Sequence, residues 1–507
     1  MSGSVTDALT WWARTNPDLV AIDFDGDEVT YRELNSWADG VAADLLAAGV
    51  RPGDRVSVFG GNRLEWCAAA LGGFKVGAIV APFNQRMVAR ELEGLVRDCE
   101  PRVMFCSESL RERVDEVHAA NPDFEIRTLE TDVRQLRNAT HPPAPPQAAD
   151  LDDPTAIVYT SGSTGEPKGV LFTHNSIAGM AHEWTLIEGV QPCALRVLMV
   201  LPLFSAAGLI WGIARVLLNG GTLLLQPRFD PPRALEILST QHVTTLTGPP
   251  IIFEQIAEQP GFAEAGFPSL TTAHVGGARV PVELLKAWQP KGVALRQIYG
   301  QTEIGGSATA MPREEAALHP EKCGWGGIFT KIRVVDENDR DVPAGVQGQI
   351  LLRGPGMTPG YWHRDEATKA ALKGGWLHTG DLGVLDERGY LTFVDRMKDM
   401  IISGGLNISS MEVEMVLQAM PGIEEVVVLG VADRKFGETP AALVRASRKI
   451  SAADVVEWCN ERLADFKVPR YVVFVDGPMP RMASGKIAKR ELRQTYATLA
   501  ETHPRVR

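Results

Sequence analysis

Residues 159–169 have the sequence Tyr-Thr-Ser-Gly-Ser-Thr-Gly-Glu-Pro-Lys-Gly and follow the apolar stretch Ala156-Ile157-Val158. Hydroxyl side chains alternate with glycines here, so backbone N–H groups and Ser/Thr oxygens can converge on an anion without obstruction by Cβ atoms. Lys168 adds a positive charge. No Gly-Lys-Ser/Thr sequence follows the glycines, so this is not a Walker A loop. A flexible Gly/Ser turn is also conceivable, but the ordered hydroxyl spacing and the Pro-Lys-Gly ending favour a phosphate-binding loop.

Four further polar segments follow this loop along the chain. Each of them alone is typical of an ordinary loop or surface turn, and their fixed order makes them informative. They are Tyr299-Gly-Gln-Thr-Glu303, Trp376-Leu-His-Thr-Gly-Asp-Leu-Gly383, Asp395-Arg-Met-Lys-Asp-Met-Ile-Ile-Ser-Gly-Gly-Leu-Asn407 and Pro480-Arg-Met-Ala-Ser-Gly-Lys486.

Together these five segments resemble the ordered signatures of the adenylate-forming superfamily, which includes acyl-CoA synthetases, luciferases and nonribosomal adenylation domains. Weaker matches, such as Val29-Thr-Tyr-Arg-Glu-Leu34, extend the resemblance from about residue 7 to residue 495. The resemblance implies ATP and Mg²⁺ as requirements and coenzyme A as the acyl acceptor. The five motifs are specific for the superfamily and much less specific for the acid used.

The resemblance also implies roles for individual residues. Tyr299 would pack on adenine, Thr302 would reach the α-phosphate, and Glu303 would hold Mg²⁺ together with Thr164. Mg²⁺ usually takes one or two carboxylates plus substrate phosphates, which agrees with this assignment. Lys486 would bridge the attacking carboxylate and the α-phosphate. The implied nucleotide-binding residues are Thr160, Ser161, Gly162, Ser163, Thr164, Gly165, Lys168, Gly277, Ala278, Tyr299, Gly300, Gln301, Asp381 (on the ribose hydroxyls) and Arg396.

The same resemblance divides the chain into two domains of an α/β fold. A large N-terminal domain of packed α/β layers, residues 1–394, would bind the acid and ATP, and a small mobile α+β domain, residues 395–507, would follow a hinge near Lys398. Gly404 and Gly405 would line the pantetheine tunnel. Ser410 stands where many relatives have proline, which we expect to loosen the local backbone.

The acyl pocket departs most from the family pattern. Acyl- and aryl-CoA synthetases commonly place histidine where Ser205 stands, and the neighbouring positions are small, so we expect room for a bulky or ring-bearing acid. The competing expectation is that Trp184 or Trp211 refills this space. The predicted pocket residues are Phe204, Ser205, Ala206, Ala207, Ile298, Gly305 and Gly306.

Composition excludes several function classes. The 507 residues carry a formal net charge of −12, which disfavours nucleic acid as a partner. The longest strongly apolar run, residues 206–218, is too short to span a bilayer and contains Arg215. Six scattered cysteines without a CxxC pair are typical of free thiols in a cytoplasmic protein. The sequence leaves a homodimer open.

The sequence therefore predicts an AMP-forming acid–thiol ligase, an acyl-CoA synthetase of the kind that serves fatty acid metabolism, with a small-molecule carboxylic acid as its partner.

A second interpretation is a stand-alone adenylation enzyme that loads an acyl or amino acid onto a carrier protein. An amino-acid site usually has an aspartate just after the fourth core motif, and Ala206-Ala207-Gly208-Leu209 offers none. A luciferase-like oxygenase would have the same fold, but no residue pattern in the chain indicates oxygen chemistry. A non-catalytic nucleotide-binding protein is disfavoured by the intact Lys486, Glu303 and Asp381.

Overall fold

The structure is a computed structural model that describes residues 3–144, 150–160, 167–277, 280–481 and 487–507. Contacts divide the chain into two compact units. The first consists of Met1–Arg333, Leu351–Thr379 and Gly389–Leu391, and the second of Val334–Ile350, Gly380–Arg388 and Thr392–Arg507. The predicted domain boundary between residues 394 and 395 stays a prediction.

The strands of the described residues are numbered in chain order. They are β1 Val20–Phe24, β2 Asp27–Thr30, β3 Arg55–Phe59, β4 Ile79–Phe83, β5 Pro101–Cys106, β6 Glu125–Thr128, β7 Pro154–Thr160, β8 Lys168–Thr173, β9 Arg196–Met199, β10 Thr222–Leu225, β11 Thr245–Gly248, β12 Thr272–Val275, β13 Leu295–Tyr299, β14 Thr309–Ala310, β15 Trp325–Gly326, β16 Lys331–Val335, β17 Gln347–Arg353, β18 Leu377–Leu385, β19 Leu391–Arg396, β20 Ile401–Ser403, β21 Leu406–Ile408, β22 Ile423–Asp433, β23 Gly437–Ala446 and β24 Tyr471–Phe474.

The α-helices of the described residues are numbered in the same way. They are α1 Val5–Thr15, α2 Tyr31–Ala47, α3 Leu64–Lys75, α4 Ala89–Cys99, α5 Arg111–Ala120, α6 His174–Glu188, α7 Arg215–Leu218, α8 Pro231–Thr240, α9 Pro250–Ala257, α10 Val282–Trp288, α11 Asp365–Ala371, α12 Ser410–Gln418, α13 Ala452–Asn460, α14 Lys489–Thr495 and α15 Leu499–Thr502.

The first unit contains two large sheets. One has the strand order β6-β5-β3-β4-β7-β8 and the other β15-β14-β13-β12-β11-β9-β10-β1-β2. Strands β3 and β4 pair in parallel and are joined by α3, a buried helix that is apolar around most of its circumference. Strands β9, β10, β11, β12 and β13 also run parallel. Four more strands, β16–β19, form a sheet in chain order.

The second unit has an α+β core built on the long antiparallel pair β22 and β23, with β20 and β24 against β23. Helix α13 begins at a capping box, in which Ser451 and Asp454 exchange hydrogen bonds, and it ends at Asn460. The predicted fold class, α/β layers followed by a smaller α+β region, is confirmed.

Two further expectations can be compared with the structure. All six cysteines are free, and five of them are buried. None of the helices in the described part of the chain has the length and apolar composition that a membrane crossing needs.

Ser410 belongs to a buried hydrogen-bond network, and the expectation that it loosens the local backbone stays a prediction. It is fully buried at the start of α12, and its hydroxyl donates to Asp395 Oδ2 at 3.1 Å and accepts from Lys489 Nζ at 2.9 Å. Asp395 Oδ2 also accepts from the Ser409 hydroxyl and from the N–H of Met411, at 3.0 and 3.2 Å. A proline at position 410 would lack this hydroxyl, so serine replaces backbone stiffness with a hydrogen-bond network around a buried carboxylate.

Asp395→Ala should destabilise the second unit, because it leaves buried hydroxyl and N–H donors without their acceptor. We expect the free energy of opening of β22 and β23, measured by amide hydrogen exchange, to fall by about 3 kcal/mol. The matched control is Ser451→Ala, which removes an exposed helix cap and should cost about 1 kcal/mol. A loss for Asp395→Ala no larger than that of the control would contradict the role assigned to this network.

Candidate active site

The two ends of the predicted phosphate loop lie side by side. Strands β7 and β8 pair antiparallel with Thr160 opposite Lys168, and the Thr160 hydroxyl is 3.5 Å from the Lys168 carbonyl oxygen. The connecting residues belong to the part of the chain outside the described residues, as do two other predicted site residues. Those outside are Ser161, Gly162, Ser163, Thr164, Gly165, Ala278 and Lys486.

Tyr361 connects Lys168 to Glu303, and sequence reasoning did not identify it. Lys168 Nζ lies 5.1 Å from the centroid of the Tyr361 ring, within range of a cation–π interaction. The Tyr361 hydroxyl donates to Glu303 Oε1 at 2.9 Å. Burial, together with the charge of Glu303, raises the pKa of Tyr361, so the phenol stays protonated and remains a donor. No local motif marks Tyr361, because its role depends on a residue 58 positions earlier in the chain.

The segment after β13 places Glu303 through close backbone packing. A Cβ on Gly300 would lie 2.6 Å from the carbonyl oxygen of Gly306, so only glycine fits at that position. Thr302 and Glu303 form a single 3₁₀ turn, and the Glu303 carbonyl accepts from the N–H of Thr358 at 2.8 Å. Gln301 Nε2 donates to the carbonyl oxygen of Thr379 at 2.9 Å. The Glu303 side chain is therefore held on a rigid turn.

Tyr299 and Gly277 lie at the carboxyl ends of neighbouring parallel strands, β13 and β12. Gly276 is in contact with Ile298, since a Cβ there would lie 2.6 Å from Ile298 Cγ1, and Gly277 has a φ of +79°. In open α/β sheets, ligands bind outside the carboxyl ends of the strands. This edge of the sheet therefore carries the predicted adenine-binding residues that the structure describes.

Residues of the second unit predicted to contact ribose lie together. Asp381 is buried, and its Oδ1 atom is 3.7 Å from Arg396 Nε. Burial and the nearby charge of Arg396 lower the pKa of Lys398. Gly404 and Gly405 have φ values of +58° and +80° in the two-residue turn between β20 and β21. The geometry of such a turn is sufficient reason for glycine at both positions. The role of Gly404 and Gly405 in a pantetheine tunnel therefore stays a prediction.

Local hydrogen bonding and backbone conformation explain why several residues of the predicted acyl pocket are small. The Ser205 hydroxyl donates to the Pro202 carbonyl at 2.8 Å and accepts from the N–H of Gly208 at 3.2 Å, which supports the π-helix Ala207–Ala214. Gly305 and Gly306 have φ values of +82° and +102°, which other residues rarely adopt. Backbone conformation alone therefore explains both glycines, and their small size does not by itself indicate an empty pocket.

Trp211 fills the space beside these glycines, in agreement with the competing expectation for this pocket. Its indole N–H donates to the Gly305 carbonyl oxygen at 2.8 Å, and a Cβ on Gly306 would lie 2.9 Å from the same nitrogen. Trp184 packs against it with ring centroids 5.0 Å apart. Phe204 and Ile298 are half-buried, and Ala206 is buried. These two buried indoles, here called the aromatic wall, lie beside the turn that carries Glu303, and Trp211 is held to that turn by its hydrogen bond.

A buried ionic cluster lies behind these tryptophans, and no sequence motif pointed to it. Arg296 Nη1 donates to both carboxylate oxygens of Glu188, at 2.6 and 2.7 Å. His274 is fully buried, and its Nε2 atom lies 3.3 Å from Glu188 Oε1 without hydrogen-bond alignment. Burial lowers the pKa of His274 to about 4. Burial opposes ionisation of Glu188, but the charge of Arg296 and its two hydrogen bonds outweigh burial and lower the pKa of this carboxyl. The carboxylate is therefore ionised and the imidazole neutral near pH 7.

The residues around Glu303 suit Mg²⁺. Carboxylates that ligate metals are usually hydrogen-bonded themselves, as Glu303 is by Tyr361. Among the described residues, no group of three or more His, Cys, Asp or Glu side chains could hold a metal ion. A single carboxylate that is linked through Tyr361 to Lys168, at the end of the predicted phosphate loop, suits an ion that would keep substrate phosphates as its other ligands.

Comparison with known proteins agrees with this geometry. Residues 9–362 match the family of AMP-binding enzymes, and residues 412–486 match the AMP-binding enzyme C-terminal domain. The chain belongs to the AMP-binding enzyme family. The resemblance seen in the sequence is thereby confirmed.

Individual relatives of this AMP-binding enzyme span nearly its whole length. Feruloyl-CoA synthase from an Amycolatopsis species is 37% identical over 489 residues, 96% of this chain and 97% of the relative. The long-chain-fatty-acid–CoA ligase FadD13 of Mycobacterium tuberculosis is 34% identical, with 92% and 93% covered. Bacillus subtilis o-succinylbenzoate CoA synthetase, solved with its acyl-adenylate intermediate, matches with a TM-score of 0.89 at 28% identity, covering 97% of this chain and 98% of that one. The predicted class, an acid–thiol ligase that uses ATP, Mg²⁺ and coenzyme A, is confirmed.

Tyr361→Phe should weaken the response to Mg²⁺, because it removes the hydrogen bond to Glu303 and keeps the ring beside Lys168. We expect the Mg²⁺ concentration for half-maximal acid-dependent pyrophosphate release to rise roughly tenfold. The matched control is Tyr159→Phe, which removes an equivalent hydrogen bond of 2.8 Å to Asp98. Equal Mg²⁺ responses in the two variants would exclude a positioning role for Tyr361.

Proposed function

We propose that the chain activates a ring-bearing carboxylic acid with ATP and transfers the acyl group to coenzyme A. The observation that carries this proposal is the aromatic wall of Trp211 and Trp184, which is hydrogen-bonded to Gly305, two residues from Glu303. Flat rings pack well on such a wall, with gains beyond those of area burial. The names of two relatives, which act on feruloyl and succinylbenzoate substrates, support the same class of acid. FadD13 acts on long-chain fatty acids by name, so an extended aliphatic acid is the competing substrate class.

In the first half-reaction, the acid's carboxylate attacks the α-phosphorus of ATP, an acyl-phosphate bond forms, and pyrophosphate leaves. The acid is already ionised at neutral pH, so no general base is required. Both reactants are anions, and the chain's main contribution is positioning and neutralisation of charge. Lys168 lies at the end of the phosphate loop, and Glu303, held by Tyr361, would provide the carboxylate for Mg²⁺. When bound, the metal supplies Lewis-acid stabilisation of phosphate oxygens.

In the second half-reaction, the thiol of coenzyme A attacks the carbonyl carbon of the mixed anhydride, the thioester forms, and AMP leaves with its phosphate oxygen. We assign Tyr299 and Gly277 to the adenine and Asp381 and Arg396 to the ribose region. The boundary between residues 394 and 395, the hinge at Lys398, the homodimer and the cytoplasmic location also stay predictions.

A panel of acids tests the proposed substrate class. Ferulate and indoleacetate should be used with kcat/KM values roughly 10- to 100-fold above that of acetate, because burial of a ring contributes about 1.5–3 kcal/mol. They should also exceed hexadecanoate. The measurement is pyrophosphate release and CoA-dependent AMP formation by the full chain. If hexadecanoate is the best substrate, the aromatic wall does not select rings and the proposal fails.

Lys486→Ala tests the assignment of the adenylation lysine. Removing a positive charge aimed at the reacting phosphate should lower adenylate formation about a hundredfold or more. Thioester formation from pre-made acyl-adenylate should continue, because no pyrophosphate leaves in that step. Lys449→Ala, at an exposed lysine of the second unit, is the control and should leave both rates unchanged. An equal loss of both half-reactions in Lys486→Ala would contradict the assignment.

A further inference from the structure

Arg215 is a buried charge at the back of the acyl region. It begins the short helix α7, directly after the π-helix Ala207–Ala214, and its side chain has 0% exposure. Its Nε and Nη2 atoms have no hydrogen-bond partner among the described residues. The guanidinium lies 5.3 Å from the centroid of the Trp211 ring. The indole N–H of the same tryptophan donates to the Gly305 carbonyl oxygen. Buried arginines are normally paired, so these two donor atoms require an explanation.

The surrounding charges do not neutralise Arg215. The charge of Glu188 raises the pKa of Arg215, but this carboxylate already accepts two hydrogen bonds from Arg296. His274 is neutral near pH 7, because burial lowers its pKa to about 4. Burial also lowers the pKa of Arg215 to about 10, so the guanidinium remains charged at neutral pH. The cluster therefore contains two buried cations and one buried anion.

A small cavity brings Arg215 together with a second buried polar group. Its volume is about 10 Å³, which is room for one water-sized group. Ala207, Trp211, Arg215 and Thr247 line it, together with Leu201, Thr245 and apolar side chains of β9. The Thr247 hydroxyl oxygen is also buried without a partner among the described residues. Ala207 is a predicted acyl-pocket residue, and Trp211 is hydrogen-bonded to Gly305, which is another, so this cavity adjoins the predicted acyl pocket.

We propose that Arg215 and Thr247 form a polar subsite at the far end of the acyl pocket, which binds one oxygen acceptor on the ring of the acid. A ketone or hydroxyl oxygen matches both the donors and the volume, whereas a second carboxylate would need room for two oxygens. A site built to hydrogen-bond a substrate oxygen rejects the analogue that lacks it, because the buried donors are then left unpaired. This inference rests on the proposed function and deepens it, from a ring-bearing acid to a ring-bearing acid with a distal oxygen.

Three acids of matched shape test the subsite: 3-cyclohexylpropanoate, 3-(4-oxocyclohexyl)propanoate and 3-(4-carboxycyclohexyl)propanoate. The full chain is assayed with ATP, Mg²⁺ and coenzyme A, and kcat/KM is measured for each acid. We expect the oxo acid to exceed the cyclohexyl acid at least tenfold and to exceed the carboxy acid as well. A wild-type ratio of oxo to cyclohexyl acid near one overturns the proposal. A preference for the carboxy acid also overturns it, because the subsite would then bind an anion.

Variants assign the preference to particular groups. Arg215→Met should reduce the oxo-to-cyclohexyl ratio to about one, Arg215→Lys should restore part of it, and Thr247→Val should reduce it about threefold. The control is Arg196→Met, on the neighbouring strand β9, where Arg196 Nε donates to the Gln241 carbonyl at 2.8 Å. This control should leave the ratio unchanged, even if the activity falls. A merely structural Arg215 would lower kcat/KM for both acids in parallel, and this result contradicts the proposal.

Three further outcomes are decisive. If Arg215→Met does not fold, the wild-type ratio and the effect of Thr247→Val decide the question. If the ring-bearing acids are used but the three matched acids show no dependence on the oxygen, only the subsite is rejected. If neither these acids nor ferulate and indoleacetate support CoA-dependent AMP formation, the proposed function itself is rejected.

Discussion

A Cβ on Gly300 would lie 2.6 Å from the Gly306 carbonyl oxygen and 2.6 Å from Ser307 Cα, and this close backbone approach organises the active site. The loop closes because Gly305 and Gly306 adopt positive φ values and the N–H of Gly306 donates to the Gln301 carbonyl at 2.9 Å. One side of the loop carries Glu303, which reaches Tyr361. The other presents the Gly305 carbonyl to Trp211. A single turn thus connects residues assigned to phosphate and metal with the wall assigned to the acid.

This connection has a chemical consequence for an adenylating enzyme. The carboxylate of the acid must meet the α-phosphorus with little freedom, since positioning contributes much of the rate where no covalent enzyme group takes part. A wall fixed to the loop that carries Glu303 restricts the acid and the phosphates through the same backbone. Shifts of about 1 Å in this turn would therefore affect both reactants together.

Two groups of buried polar side chains differ in whether their hydrogen bonds are satisfied. The network of Asp395, Ser410 and Lys489 is hydrogen-bonded throughout and compensates locally for the absence of proline at position 410. Arg215 and Thr247 are different, because Arg215 Nε and Nη2 and the Thr247 hydroxyl have no hydrogen-bond partner among the described residues. Satisfied networks rigidify a fold, whereas unsatisfied ones are costly unless a ligand completes them.

The sequence by itself determined the superfamily and the order of α/β elements, and its local motifs predicted site residues such as Glu303 and Asp381. It could do so because hydrophobic periodicity, capping residues and glycine-rich turns are local properties of the chain. Only the tertiary structure decided that Tyr361 reaches Glu303, that Trp211 fills the space beside Gly305, and that Arg215 shares a cavity with Thr247. Those relations join residues that are distant in the chain. They depend on which side chains share one face of a sheet and on how much volume remains between them, and no local pattern encodes either quantity.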